Sequence, residues 1–428
     1  MGRKKDMVRT KVVPSNRWRF QGDELKYVKE VLDSGFGSSK YGNMNARLEK
    51  AFSERFGARY AVTTTSGTAT LHQALVAFGV GPGDEVIVPA LTVVMCGYAV
   101  LYTGAKPVFA DVDPETFLMD PKDVERKITR RTKAIMPVHL YGQVCDMDAI
   151  TRIARKRKLY VLEDCAQCYL GTDHRGRIGG TIGHVGSFSF ENTKHVSTGD
   201  GGILITDDKT LAERMRKFGC MGFKTVKAEG GQAKGKVVKD NFQDPKWLRH
   251  DAFGFNFRMS EAAAAIGLAQ IEKLDYLVKK RQQIAAKYLE AIQETGCGWL
   301  VPQRVPNGYV NSYYTFAARY EGEEELGVSW YDFRRKFIEF GGDGIYAAWA
   351  LVYNEPVMRL ISEEGRYFKD LKPQAPTLKG FLEGVRCLQA ERLQPKLMQF
   401  TANQGIEADM DLQMNALKNT IYHFQRLT

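Results

Sequence analysis

At 428 residues and 44% hydrophobic content, the chain can bury a large core, and its length favours two or three domains. Its net charge of +11, from 61 basic and 50 acidic residues, suits an anionic partner; the basic residues are spread along the chain without zinc-finger spacing or an RNA-recognition signature, so nucleic acid is not expected. No apolar run approaches bilayer length, the charged start MGRKKDMVRTKVVPSNRW lacks the apolar stretch of a signal peptide, and seven scattered cysteines do not form a disulfide framework. The expectation is a cytoplasmic protein with reduced thiols and no membrane partner.

Along the chain, strand-like apolar runs alternate with segments of helical length. RYAVTTT precedes GTATLHQALVAFG, EVIVPAL precedes TVVMCGYAVLYTG, and KPVFADV, KAIMPVHLY, KLYVLEDC, SFSF and GGILITDD follow. This is an α/β pattern. Runs that are apolar throughout, such as EVIVPAL and KAIMPV, predict a mostly parallel sheet covered by helices on both faces. GPGD at 81–84 and HRGRIGG at 174–180 read as turns, the second compatible with a hairpin. FKTVKAEGGQAKGKVVKD at 223–240 reads as a loop, either an ordinary solvated one or a lid that draws in an anionic substrate. The stretch SEAAAAIGLAQIEKLDYLVKKRQQIAAKYLEAIQ then reads as one long helix leading into a second domain. The expected organisation is a tail at 1–20, a large domain at 21–260, and the long helix with a smaller C-terminal domain at 261–428.

Three stretches carry chemistry when taken together. SFSFENTKHVSTGDGG at 187–202 sets Lys194 between alternating aromatics and three glycines. Glycine costs conformational entropy on folding, so the cluster marks unusual backbone angles or the close approach of another group; a ligand is one reason, a plain turn bearing a solvated lysine is the other. KLYVLEDCAQ predicts a buried strand leading to Asp164 and Gln167, at the end of the sheet where open α/β folds gather ligands. TTTSGTATL puts Ser66, Gly67 and Thr68 between a strand and a helix start, whose free N–H groups and hydroxyls can bind a phosphate or simply cap the helix. An amine, a carboxylate and an anion cradle are what pyridoxal 5′-phosphate requires: a lysine for the Schiff base, an anion that raises the ring nitrogen's pKa, and a seat for the phosphate. Lys194, once released from the aldehyde, would carry the proton as general base and acid, which is transamination.

In order and spacing, LEKAFSERFGARYAV, TSGTATLHQAL, PALTVV, GAKPVFADVDPETF, KAIMPVHLYGQVCDMDAI, VLEDCAQ, GSFSFENTKHVSTGDGGILITDD and GFNFRMSEAAAAIGLAQIEKLD resemble the DegT/DnrJ/StrS sugar aminotransferases over most of the chain. The resemblance implies an α/β fold of fold-type I, with a large domain built on a mostly parallel sheet and a smaller C-terminal α+β domain. It also implies pyridoxal 5′-phosphate as cofactor, with the pyridoxamine form as its aminated state. Lys194 is then the Schiff-base lysine, Asp164 the partner of the ring nitrogen, and Gln167 a neighbour of the ring. Ser66, Gly67, Thr68 and Ser189 match phosphate-binding positions, and Asn256 matches a residue that reaches the phosphate of the neighbouring subunit, so a homodimer with shared active sites is implied. The implied reaction moves an amino group from glutamate or glutamine to a keto group of a nucleotide-linked sugar. Keto-inositol transamination is the alternative, and a non-catalytic regulatory protein of the same fold is opposed by the intact Lys194, Asp164 and Gln167.

Departures from the family pattern bear on the substrate more than on the cofactor. Val93 stands where many relatives place an aromatic ring against the cofactor, and Glu191 where a histidine is common. GIYAAWALVYNEPVM and the chain from QPKLMQF onward follow the pattern poorly. Related dehydratases replace the lysine with histidine, but spacing back from GDGG puts Lys194, not His195, in the Schiff-base position. Cys165 and Cys168 have redox-motif spacing, yet they flank Gln167 and are expected to be buried small residues. The seven histidines form no local pair with metal-ligand spacing, and no metal is expected.

Overall fold

The computed structural model describes residues 17–36, 43–230, 243–372 and 375–426; the tail through residue 16 and residues 231–240 of the Gly/Lys-rich loop lie outside them. Seven strands make the larger sheet: β1 (Tyr60–Thr64), β2 (Glu85–Pro89), β3 (Lys106–Ala110), β4 (Thr132–Ile135), β5 (Tyr160–Asp164), β6 (Val185–Ser189) and β7 (Gly202–Thr206), in the order β1-β7-β6-β5-β4-β2-β3. The pairs from β3 through β6 are parallel, and β7 runs antiparallel to both of its neighbours, so the sheet is mostly parallel as expected. β8 (Leu300–Pro302), β9 (Phe316–Tyr320), β10 (Ile345–Ala347) and β11 (Leu397–Phe400) form a second, antiparallel sheet.

Both faces of the larger sheet are buried, and the two-residue period of a strand divides its side chains between them. In SFSF, Phe188 and Phe190 enter an aromatic core with Phe52, Phe56 and Tyr169, where the Phe52 and Phe188 rings lie 5.0 Å apart. Ser187 and Ser189 take the other face, and Ser187 Oγ lies 2.6 Å from Thr70 Oγ1 on the helix Gly67–Ala77. Ile203 and Ile205 of β7 join the aromatic core while Leu204 joins the larger aliphatic one. That larger core also takes Val352, Met358, Ile361, Leu378 and Leu393, so the segment following β10 packs back against the first half of the chain.

The stretch expected as one long helix is two, Glu261–Glu272 and Leu274–Glu294, meeting at Lys273, whose φ of −117° and ψ of 20° leave the helical region. Different partners account for the break. The first helix packs on Glu24–Asp33 and Met44–Phe56, the second on the terminal helix Glu407–Gln425, and Lys273 is held at the corner by Glu24 at 2.5 Å. The turn at 174–180 closes a short hairpin through the Thr172–Ile178 bridge. Among the described residues no helix is long and apolar enough to cross a membrane.

Candidate active site

Because β1, β5 and β6 point the same way, their carboxyl ends lie along one edge of the larger sheet. Register then brings the sequence-predicted residues together: Asp164 pairs with Ser187, Ser189 with Gly202, and Gly202 with Thr64, two residues before Ser66. Asp164 ends β5 and is buried. Its Oδ1 accepts the Ala166 N–H at 2.9 Å and its Oδ2 accepts the Cys96 thiol at 3.3 Å. Burial pushes its pKa above the ordinary 3.8; the Ala166 N–H, the Cys96 thiol and the Lys194 charge offset this only in part. The result is a desolvated carboxylate with no salt bridge among the described residues, the environment in which an incoming positive group gains most.

Ser66 caps the helix Gly67–Ala77, its Oγ accepting the Ala69 N–H at 3.1 Å and its carbonyl the Thr70 N–H at 3.1 Å. The first two N–H groups of that helix, on Gly67 and Thr68, have no partner among the described residues, so they and the helix dipole remain available to an anion. Two glycines let this corner close. A Cβ on Gly67 would sit 2.6 Å from the Ser189 Cβ, and one on Gly202 would sit 2.8 Å from the Ser66 carbonyl carbon. Part of the glycine cluster beside Lys194 therefore serves the approach of one backbone to another.

Lys194 leaves this edge on a turn, its N–H bonded to the Glu191 carbonyl at 3.0 Å. The amine forms no ion pair among the described residues and lies 4.4 Å from the centre of the Tyr314 ring. Tyr314 in turn places its hydroxyl 2.8 Å from Thr193 Oγ1, which also donates to Glu191 Oε2 at 2.6 Å. His195 is buried with its Nε2 donating to the Ser312 carbonyl at 2.9 Å; burial first, then the Arg281 charge, holds its pKa well below the usual value. Thus the neutral histidine belongs to the packing beneath the loop, and the lysine is the amine left without an ion pair among the described residues.

The other predicted residues fall around this centre. Gln167 is buried and its Oε1 accepts the N–H of Tyr141 at 2.9 Å, bracing a turn in which Tyr141 has a φ of +62°. Val93 is half-buried in the turn between β2 and the helix Met95–Tyr102, its carbonyl accepting the Cys96 N–H at 3.2 Å. Asn256 is exposed, with its Oδ1 accepting from Arg258 Nε at 2.9 Å, and among the described residues no contact brings it to Lys194 or Asp164. All seven cysteines are buried free thiols, and burial pushes the Cys165 and Cys168 thiols up, away from redox reactivity. One set of metal-ligand side chains converges among the described residues, His139, Glu163 and Cys165, but both Glu163 oxygens and both His139 nitrogens are already hydrogen-bonded within the protein. Cys96 and Tyr314 were not singled out from the sequence. Cys96 lay inside a stretch read for Val93, and Tyr314 is 120 residues from the lysine it faces, with nothing local to mark it.

The residues present fit pyridoxal phosphate: a lone amine, a desolvated carboxylate, and unpartnered helix N–H groups beside two serines. The family described as DegT/DnrJ/EryC1/StrS aminotransferases matches residues 19–340. The chain belongs to this family. A GDP-perosamine synthase of Escherichia coli O157:H7 is 44% identical over 282 residues, covering 66% of this chain and 72% of that protein. The crystal structure of an aminotransferase from Psychrobacter cryohalolentis superposes with a TM-score of 0.81 at 28% identity, covering 94% of this chain and 97% of that one. NtdA of Bacillus subtilis, solved with bound cofactor PMP, superposes with a TM-score of 0.74 at 25% identity, covering 98% of this chain and 87% of that one. Like its family, the protein is an aminotransferase that uses pyridoxal 5′-phosphate.

Proposed function

We propose that the protein moves an amino group from glutamate or glutamine to a keto group of a nucleotide-linked sugar, with Lys194 and Asp164 as its catalytic residues. The observation that carries this reading is the pairing of an amine without an ion-pair partner, Lys194, with a buried carboxylate, Asp164, whose pKa burial has raised. Bound cofactor supplies an electron sink for the substrate carbon. Asp164 would hold the ring nitrogen and favour its protonated form, and the Ala166 N–H and Cys96 thiol hold that carboxylate in place. Lys194 takes the proton from the substrate carbon and returns it, with the Tyr314 ring beneath the amine limiting where it can swing. The Gly67 and Thr68 N–H groups, with the Ser66, Thr68 and Ser189 hydroxyls, hold the phosphate. Gln167 and Val93 would hold the ring, Val93 supplying aliphatic packing in place of aromatic stacking.

Two features support a nucleotide-linked sugar: the relative named for GDP-perosamine and the net charge of +11, which favours an anionic diphosphate. A homodimer belongs to the same proposal. Asn256 is exposed on a segment that also exposes Leu248 at 77% and Phe253 at 82%, apolar surface suited to burial against a second copy. In that dimer Asn256 serves the phosphate of the neighbouring subunit.

The test is a panel of nucleotide-linked keto sugars and keto-inositols offered with glutamate or glutamine and read by mass change. A one-amino-group change on a nucleotide-linked sugar is expected. Exclusive amination of keto-inositols would replace the substrate assignment. Protein whose yellow colour no donor bleaches would favour the non-catalytic reading. Light scattering of the purified protein at twice the chain mass is the expected result for the dimer.

A further inference from the structure

Four consecutive carbonyls around the lysine, those of Asn192, Thr193, Lys194 and His195, are all taken by two arginines. Arg19 Nη1 donates to the Asn192 carbonyl at 2.9 Å, and its Nη2 donates to the carbonyls of Lys194 and His195. Arg281 Nη2 donates to the Thr193 carbonyl at 2.8 Å and the Lys194 carbonyl at 3.2 Å. Arg281 Nη1 donates to the carbonyl of Tyr314 at 2.5 Å, the residue whose ring underlies the Lys194 amine. The two side chains are 1% and 2% exposed, and neither forms a salt bridge among the described residues, Glu191 acting on Arg19 only through its charge. Burying two like charges beside each other without an acid in contact costs folding free energy, and the hydrogen bonds to the loop are what it is spent on.

Both anchors are themselves fixed. Arg281 sits on the helix Leu274–Glu294, and Arg19 lies in the short turn Arg17–Phe20, whose Arg19 carbonyl accepts from Gln270 Nε2 at 2.7 Å. A lysine amine on four methylenes reaches its target only if its own Cα is held, and misplacement by about 1 Å in an active site can cost on the order of a hundredfold in rate. Only a planar guanidinium spans several carbonyls at fixed angles; an ammonium at the same place is a point donor.

We propose that Arg19 and Arg281 are positioning residues for Lys194: a pair of guanidinium forks that fix the lysine turn and, through Tyr314, the surface beneath its amine. The inference rests on Lys194 as the reacting amine, and its test has one arm that does not. In cofactor-free protein, amide hydrogen exchange of residues 191–196 is measured for wild type, Arg281→Met, Arg281→Lys and Arg19→Met. Each Met variant is expected to exchange about tenfold faster in this turn, with the β5 and β7 amides unchanged. In loaded enzyme, kcat is expected to fall by roughly ten- to a hundredfold in the Met variants while KM for the amino donor stays within about twofold, with Arg281→Lys between them and wild type. Unchanged exchange in the turn, or kcat within about twofold of wild type, overturns the proposal. Should Arg281→Met fail to fold, Arg281→Lys and Arg19→Met are judged by the same criteria. Borohydride trapping on wild type separates the two readings: an adduct absent from Lys194 defeats the assigned function, whereas an adduct at Lys194 with no effect of either arginine defeats only this inference.

Discussion

Glu163 and Asp164 are adjacent on β5, both buried, and they face opposite sides of the sheet with opposite electrostatic outcomes. Glu163 accepts from His139 Nε2 at 2.8 Å, Gly180 N–H at 2.9 Å, Ile182 N–H at 2.7 Å and Gly183 N–H at 2.5 Å. The Cys145 N–H donates to His139 Nδ1, which fixes the ring proton on Nε2 and makes that nitrogen a donor. Burial alone would raise the Glu163 pKa, but the His139 hydrogen bond, with the Gly183 and Gly180 N–H groups, brings it below the ordinary 4.5. Asp164 has one N–H and one thiol, and its pKa goes up. A saturated carboxylate holds structure; an under-served one is poised for something that is not yet there.

The largest effect tests the amine on the Asp164 side. Lys194→Ala is expected to reduce transamination by at least roughly a thousandfold, since it removes the covalent attachment and the proton carrier together. The melting temperature of the cofactor-free protein should stay near that of wild type, because the amine bonds to no acid in the fold. Turnover close to wild type would reassign the base.

Next comes the carboxylate itself. Asp164→Asn keeps the shape and is expected to lower kcat on the order of a hundredfold. It also carries a sign that distinguishes Asp164 from its neighbour. A carboxyl whose folded pKa is raised binds its proton more tightly in the folded state than in the unfolded one. Its stabilising contribution is therefore present below the ordinary value of 3.8 and is lost as pH rises through the raised folded pKa. Cofactor-free Asp164→Asn should accordingly melt higher than wild type at pH 8, the reverse of what deleting a structural carboxylate does. A melting temperature below wild type at that pH would mean that Asp164 is a structural acid like Glu163.

Sequence reading reached the Asp164 side because its residues sit in short motifs. Lys194, Ser189 and Gly202 lie within one stretch of sixteen residues, and Ser66, Gly67 and Thr68 within another three. Spacing sets each motif at a strand end and the family resemblance supplies the position of Ser189, while the order of the strands is not readable from the sequence. The supports were not legible in the same way. Arg19 and Arg281 meet Lys194 across 175 and 87 residues of chain, through main-chain carbonyls that any sequence possesses. Glu163 was read only as part of an apolar strand, since its four donors come from a glycine turn and a histidine on other elements. The break at Lys273 escaped because helix propensity continues through it while the packing partner changes. β8 and β10, at three residues each, are too short to show a period.

On the structural side, Glu163→Gln tests saturation. An amide there retains one acceptor oxygen and turns an N–H₂ group toward backbone donors, at an expected cost of about 2 kcal/mol. That is roughly a thirtyfold change in the folded-to-unfolded ratio. Since its folded pKa is depressed, the wild-type contribution is present above the unfolded value near 4.5 and lost as pH falls through the folded pKa, so the variant's deficit should shrink in acid. Chemical denaturation at pH 7 and at pH 4 reads both. A deficit unchanged by pH would trace the loss to packing and not to charge.

The smallest effect comes from Cys96, whose side chain donates to Asp164 and so moves it toward the behaviour of Glu163. Its Sγ lies 3.3 Å from Asp164 Oδ2 and 3.7 Å from Thr92 Oγ1, and burial pushes its own pKa up, so it remains a thiol and a weak donor. Cys96→Ala removes that donor and leaves the Asp164 carboxylate costlier to ionise. The expected result is a kcat lower by about three- to fivefold, with the acidic limb of the pH profile moved to higher pH. Cys96→Ser has nearly the same volume and a stronger donor, and should move the limb the other way. Since packing loss would be shared in kind by both variants while donor strength changes in opposite directions, limbs that move together would reduce Cys96 to a space-filling residue, and limbs that part would show that the carboxylate is tuned one hydrogen bond at a time.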